Sequence, residues 1–400
     1  MPPSDRTDGG PSPRRPLKLL LLLWLGGMSM RIAVLAVPPV LPLIRTDLQI
    51  SETQVGLLIG LPLVMWALLA IPGSLLIARL GATLALASGL LLTGLAGAGR
   101  GAASNIWLLY LATVLMGGGI AVVQPSIPTL VREWLPRQAG LGAAVATNGI
   151  LFGAMLGPIL TIGWVLPMVG QSWRVDLAFW SLPVLVTALL FFLIAPRRAT
   201  AGGNGTEERR RWWPNWRDPL VWLLGCTFGS NNALYFSTNA FLPDYLAHLG
   251  RTDLIGTALG AVSVSQLVTS TVLLVTASRL QRRTWPYLVF GLLAVAGVIG
   301  MVLGSDWTIV IAAALAGVGL AVTFVVTLAL PPVLSPPDDV HRISAAMFAI
   351  SYSIAVIVPV ICGALWDASG EPRMAFIPMG ICALTLTMLG VALSRHAKAT

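Results

Sequence analysis

Residues 201–213 read AGGNGTEERRRWW, and they lie within Pro196–Arg217, the only long polar interruption of the chain. On either side the sequence is overwhelmingly apolar. Of 400 residues, 56% are hydrophobic and 10% are charged, against about 25% charged in a typical soluble domain. A single soluble core stops growing at roughly 250–300 residues, so the surplus apolar surface must face lipid. A spanning helix needs about 20 mostly apolar residues. Six such runs precede the interruption, at 17–44, 54–78, 82–100, 105–131, 139–166 and 175–195. Six follow it, at 218–246, 254–278, 285–303, 307–331, 342–365 and 374–393. Gly, Pro or charge marks each break. The run that opens at Leu17 continues past Val37 without a prompt small-x-small cleavage pattern, so it reads as a permanent helix rather than a leader.

The formal charge of +9 is not gathered on one polar face, which argues against a nucleic-acid partner. Of the 25 Lys and Arg residues, 19 fall in the tails and in the links on one side, and 5 on the other. The excess of Lys and Arg on the cytoplasmic side of membrane proteins places both termini and the linker there. The expected organisation is a tail at 1–16, a six-helix half at 17–198, a cytoplasmic linker at 199–217, a second half at 218–394 and a tail at 395–400.

The two halves repeat each other. Val55-Gly56-x-x-x-Gly60 recurs as Ile255-Gly256-x-x-x-Gly260, Arg79-Leu80 as Arg279-Leu280, and Trp107 as Trp307. Gly117-x-Gly119-x-Ala121 recurs as Gly317-x-Gly319-x-Ala321, and Pro158 pairs with Pro359 one step out of register. Two parallel six-helix halves imply an all-α membrane protein of twelve transmembrane helices, pseudo-symmetric, with the architecture of a duplicated secondary transporter.

On this plan the chain resembles the major facilitator superfamily over residues 17–394. The family's acidic and basic motif between helices two and three survives in part as Ala78-Arg79-Leu80-Gly81, with Ala78 in the acid's place. Within the superfamily the chain is similar to the cyanate and 2-nitroimidazole permease group. The residues concerned are Ser29-Met30-Arg31, Pro38-Pro39-Val40-Leu41-Pro42, Asp47-Leu48-Gln49-Ile50-Ser51, Gln124-Pro125-Ser126-Ile127-Pro128 and Trp134-x-Pro136. The resemblance implies a monomeric permease of a bacterial inner membrane, working by alternating access. It also implies a cavity bounded by helices one, four, seven and ten. Helix five is then expected to meet helix eight across the halves, and helix two to meet helix eleven.

Arg31 stands in the middle of the first apolar run, where the sequence reads no other charge as so deep. An arginine at bilayer depth costs about 2.5–3.5 kcal/mol on insertion scales, so it ordinarily faces a cavity. Its planar fork suits carboxylate-like and other oxyanion ligands. The competing reading is a snorkelling side chain or a cap on neighbouring carbonyls. Asp47, Glu52, Asp176, Asp244, Asp253, Asp306 and Asp367 read as helix ends or loops on the far side, so no buried carboxylate is expected to neutralise Arg31. A buried, unpaired cation is costly, and the solute is then expected to bring the negative charge. It would be a small anion or a polar molecule with an acceptor.

The repeat sets Asn231 at the place of Arg31. Asn231, Tyr235 and Asn239 are four residues apart and share one helix face beside Asn232. They read either as a polar wall opposite Arg31 or as ordinary interhelical hydrogen bonds, worth about 0.6 kcal/mol each. Gln124 and Asn148 stand above the background of isolated Ser and Thr, and Trp66, Phe152 and Phe324 are candidate apolar walls. The expected solute-binding set is therefore Arg31, Gln124, Asn148, Asn231, Asn232, Tyr235 and Asn239. Small residues four apart let helix backbones approach, so Gly153 and Gly157 are read against helix eight, as are Gly256 and Gly260 against helix five. Gly56 and Gly60 are read opposite Ser344-Ala345-Ala346.

His248, His341 and His396 are scattered, and Cys226, Cys362 and Cys382 lie inside apolar runs, so neither a membrane enzyme nor a metal centre nor a cofactor is expected. An exporter of small aromatic or drug-like compounds is the second transport reading. Protons as a coupled partner stay open, and a channel would not need the duplicated halves.

Overall fold

The computed structural model describes residues 14–50, 52–196, 212–280, 283–336 and 338–399. The linker sequence AGGNGTEERRR and most of the expected N-terminal tail lie outside the described residues. Twelve long helices make up the fold. In the first half they are α1 (Arg14–Leu35), α2 (Glu52–Leu80), α3 (Ala82–Gly101), α4 (Ile106–Trp134), α5 (Ala139–Leu160) and α6 (Trp173–Ile194). In the second they are α7 (Pro219–His248), α8 (Ile255–Leu280), α9 (Trp285–Leu303), α10 (Trp307–Leu328), α11 (Val340–Ser369) and α12 (Phe376–Ala399). Among the described residues, eleven spans are long and apolar enough to cross a membrane. The twelfth, α7, has the length but is diluted by Ser230-Asn231-Asn232.

Local chemistry sets the helix ends. Asn105 accepts a hydrogen bond from the Leu108 amide at 3.0 Å to cap α4, and Asp218 accepts one from Leu220 at 2.9 Å to cap α7. The first apolar run is not one helix, as the spacing had suggested. Pro38 and Pro39 carry no N–H, so the backbone breaks after Leu35 and resumes as a short helix, Leu41–Leu48. At the break the Val37 amide donates to Val34, which leaves the Ala33 carbonyl without its helical partner. Pro331 and Pro332 similarly separate a short turn, Pro331–Leu334, from α10.

The halves are built alike. α1 packs on α5 as α7 packs on α11, α3 on α4 as α9 on α10, α2 on α4 as α8 on α10, and α3 on α6 as α9 on α12. The repeated glycines explain why. A Cβ on Gly119 would collide with Gly89 and Thr93 of α3, and one on Gly319 with Phe290 and Ala294 of α9. Gly117 lies against Pro62 and Met65 of α2, and Gly317 against Val262 and Ser265 of α8. The same glycine admits the same neighbour in each half.

Between halves, α2 meets α11 and α5 meets α8. The glycines expected to make these contacts do not make them. Gly153 presses on the Met28 carbonyl and Gly157 on Leu35 and Ala36, so both serve α1 of their own half. Gly56, Gly60, Gly256 and Gly260 have no atom within 4 Å of a built Cβ. Ser344-Ala345-Ala346 is buried near the start of α11. Because α2 and α11 are antiparallel, that stretch lies at the opposite end of the bundle from Gly56.

Two side chains stand at the helix ends where the sequence put them but are buried there. Arg100 is 2% exposed in the last turn of α3. Asp176 is 0% exposed in the first turn of α6, and neither of its oxygens makes a full hydrogen bond. Sequence fixes a residue's height along the helix, not which neighbours cover it.

Candidate functional site

Arg31 is 8% exposed, in the last turns of α1 and at the middle of the first membrane span, Leu17–Leu48. Its guanidinium lies 5.3 Å from the centre of the Trp66 ring and 6.0 Å from that of Phe236, so aromatic faces from both halves flank the charge. No carboxylate among the described residues forms an ion pair with it. Arg31 opens on a narrow cavity of about 30 Å³ between the halves, lined also by Asn231, Asn232, Tyr235, Gln266 and Phe324. A water needs at least about 10–15 Å³ of such space, so this conformation has room for a few heavy atoms at most.

The α7 residues stand in the cavity, but their hydrogen bonds divide their roles. The Asn231 amide donates to the Leu320 carbonyl at 3.0 Å and to the Thr323 hydroxyl at 2.7 Å, which commits both of its hydrogens to α10. Asn232 donates to Ser351 of α11 at 2.8 Å. Asn239 bonds back to the Tyr235 carbonyl at 2.8 Å and lines no part of the cavity.

Asn148 is brought elsewhere. Its amide donates to Ser270 and Thr271 of α8 at 3.1 Å each, and its oxygen accepts from the Trp24 indole at 2.9 Å. A side chain so fully used clasps α1, α5 and α8 together and offers a solute nothing. Gln124 is the reverse case. It is 1% exposed, and neither amide atom has a partner. The Tyr352 hydroxyl faces both Arg31 and Gln124, and the Tyr352 ring lies edge-on to Trp66 at 5.0 Å.

The sequence missed Gln266 and Phe236 as members of this site, offered Tyr352 only as a lesser polar candidate beside Ser351 and Ser353, and gave Trp66 only as an apolar wall. One signal was available for Trp66: indoles favour the membrane interface, and this one sits in mid-span with its N–H buried and unpartnered. Among the described residues, no group of three or more His, Cys, Asp or Glu side chains is placed to hold a metal ion.

The chain as a whole has relatives among known proteins. The chain is 26% identical over 372 residues to the cyanate transport protein of Escherichia coli K12, covering 93% of this chain and 96% of that one. It is 23% identical over 377 residues to the 2-nitroimidazole transporter of the same organism, covering 92% and 93%. Among solved structures, the transporter FucP in the outward conformation matches with a TM-score of 0.74 at 14% identity, over 94% of this chain and 98% of that one. A double-tryptophan mutant of XylE matches at 0.79 and 12% identity, over 96% and 98%. Residues 23–252 match the Major Facilitator Superfamily, and the chain belongs to that family as a membrane transporter rather than an enzyme.

Proposed function

We propose that the chain is a permease that moves a small anion across a bacterial inner membrane by alternating access, with Arg31 as the anchor. The observation that carries this reading is Arg31 itself: a buried cation at an inter-half cavity, with no carboxylate partner among the described residues. Burying a charge is costly unless something pairs with it, and an anionic solute answers that need on each cycle. The small cavity favours a solute of few atoms, and the cyanate transport protein is one of the chain's relatives. The 19-to-5 bias of Lys and Arg places residues 1–16, 199–217 and 395–400 in the cytoplasm, and a single copy contains both halves of the cavity.

A thermal-shift titration of the purified chain with cyanate, nitrate and acetate tests this, run beside Arg31→Ala. An anion held at a hundred times its dissociation constant stabilises the folded state by about 2.7 kcal/mol. Wild type is expected to shift with at least one of them. Arg31→Ala should lose about ten- to a hundredfold in affinity, the worth of a charged hydrogen bond. Equal shifts in both proteins would remove Arg31 from the site.

The aromatic rings around Arg31 favour a second reading, export of a small aromatic solute such as a nitroimidazole. On that reading 2-nitroimidazole stabilises wild type and Arg31→Ala alike, because ring stacking does not need the charge.

A further inference from the structure

The cavity described above lies on one side of Arg31, against α5, α7, α8 and α10. On its other side, against α2, α4 and α11, Trp66, Gln124 and Tyr352 gather around the same guanidinium. Trp66 is 1% exposed, Gln124 1% and Tyr352 2%. Buried polar groups in folded proteins almost always have partners. Here the Trp66 indole N–H has none, and Gln124 makes no full hydrogen bond, with only the Tyr352 hydroxyl beside it. Trp66 and Tyr352 flank a cation that has no ion-pair partner among the described residues, with Gln124 next to Tyr352, where α2 and α4 of the first half meet α11 of the second.

We propose that Trp66, Gln124 and Tyr352 form a second anion position behind Arg31, closed in this conformation and filled by the solute during transport. The proposal rests on the anion reading above and deepens it. The chemistry of the set defines its ligand. The groups that can donate are a guanidinium, an indole N–H, an amide NH2 and a phenol O–H, and no carboxylate stands among them. Such a set rejects cations and rewards a compact anion with acceptor atoms on more than one side. The Trp66 and Tyr352 rings add flat walls, which suits a linear or planar anion. In the first cavity, by contrast, the Asn231 hydrogens are already committed to α10. The surplus of free donors therefore lies behind Arg31, and the guanidinium can hold the solute from either side as the halves rock.

The test uses the full chain and the substitutions Trp66→Phe, Gln124→Leu and Tyr352→Phe, each of which removes the polar group. Dissociation constants for cyanate, nitrate and acetate are measured by thermal shift, together with the melting temperature without ligand. Each substitution is expected to weaken the bound anion by about tenfold or more. For Gln124→Leu, which nearly keeps the volume and breaks no full hydrogen bond, the ligand-free melting temperature should stay level or rise; Trp66→Phe leaves a void and is read on affinity alone. A structural role gives the opposite pattern, a lower ligand-free melt with unchanged affinity, and would overturn the proposal. If Arg31→Ala loses the anion while all three variants bind as wild type, the second position falls and the anion reading stands. If no anion binds wild type, both fall.

Discussion

Arg100 and Asp176 show how single side chains in this bundle answer to backbone and burial. The Arg100 guanidinium donates to the Ala33 carbonyl at 2.5 Å, the carbonyl left open where Pro38 and Pro39 interrupt α1. Ala33 is two residues beyond Arg31, so Arg100 braces the segment that carries the anchor. Replacing it by Ala leaves that carbonyl buried without a donor, which costs about 1–3 kcal/mol. Arg100→Ala should therefore lower the melting temperature, and an unchanged melt would show that water takes over the carbonyl. Asp176 predicts the reverse. Its carboxyl lies beside the Trp180 indole and the Thr161 hydroxyl without a full hydrogen bond to either, and an ionised carboxylate so buried carries a large desolvation cost. Asp176→Asn has the same shape and no charge to desolvate, so it should melt at or above the wild-type temperature. A clear drop would mean that the acid has a partner in solution.

At the scale of helices, much of the structure could be read from the sequence. The breaks between apolar runs carry Pro, Gly or charge, and each of these acts locally, so apart from α1, which ends at Leu35 and not at 44, the helix limits agree to within about six residues. The 200-residue offset located the glycines that admit α3 to α4 and α9 to α10, because close approach needs a missing side chain whatever the neighbour. Arg31 was legible for the same kind of reason: a charge in mid-span needs explanation by itself. Asn148 was not, because its meaning depends on its partners. Only packing reveals that Ser270, Thr271 and Trp24 converge on it. These bonds tie α5 to α8 near the middle of both helices. Asn148→Ala removes three hydrogen bonds at once. The halves should then part more readily along this seam, and spin labels at positions 137 and 279, at the ends of the same two helices, should report a longer mean distance. An unaltered distance would assign the clasp to stability alone.

For the whole molecule, the same two helix pairs are closed at one end and open at the other. One face of α2 carries Gly56, Gly60, Leu63, Ala67, Ala70 and Ser74 at helical spacing. Its lower part is covered, with Ala70 1% exposed and Ser74 0%, while Gly56 and Gly60 meet nothing within 4 Å. On α8, Ser270 is held by Asn148, and Gly256 and Gly260, further along the helix, meet nothing. Two symmetry-related faces are thus half used, and the alternating access proposed above would supply a use for the rest: when the covered part opens, the bare glycines become the contact. Bulk at those positions finds space now and a collision later. The double substitution Gly60→Trp and Gly260→Trp should fold with an unchanged melting temperature and still bind an anion from the open side, yet transport nothing into vesicles. Transport at the wild-type rate would mean that these faces never meet. Loss of folding would mean that they already do, in the resting state.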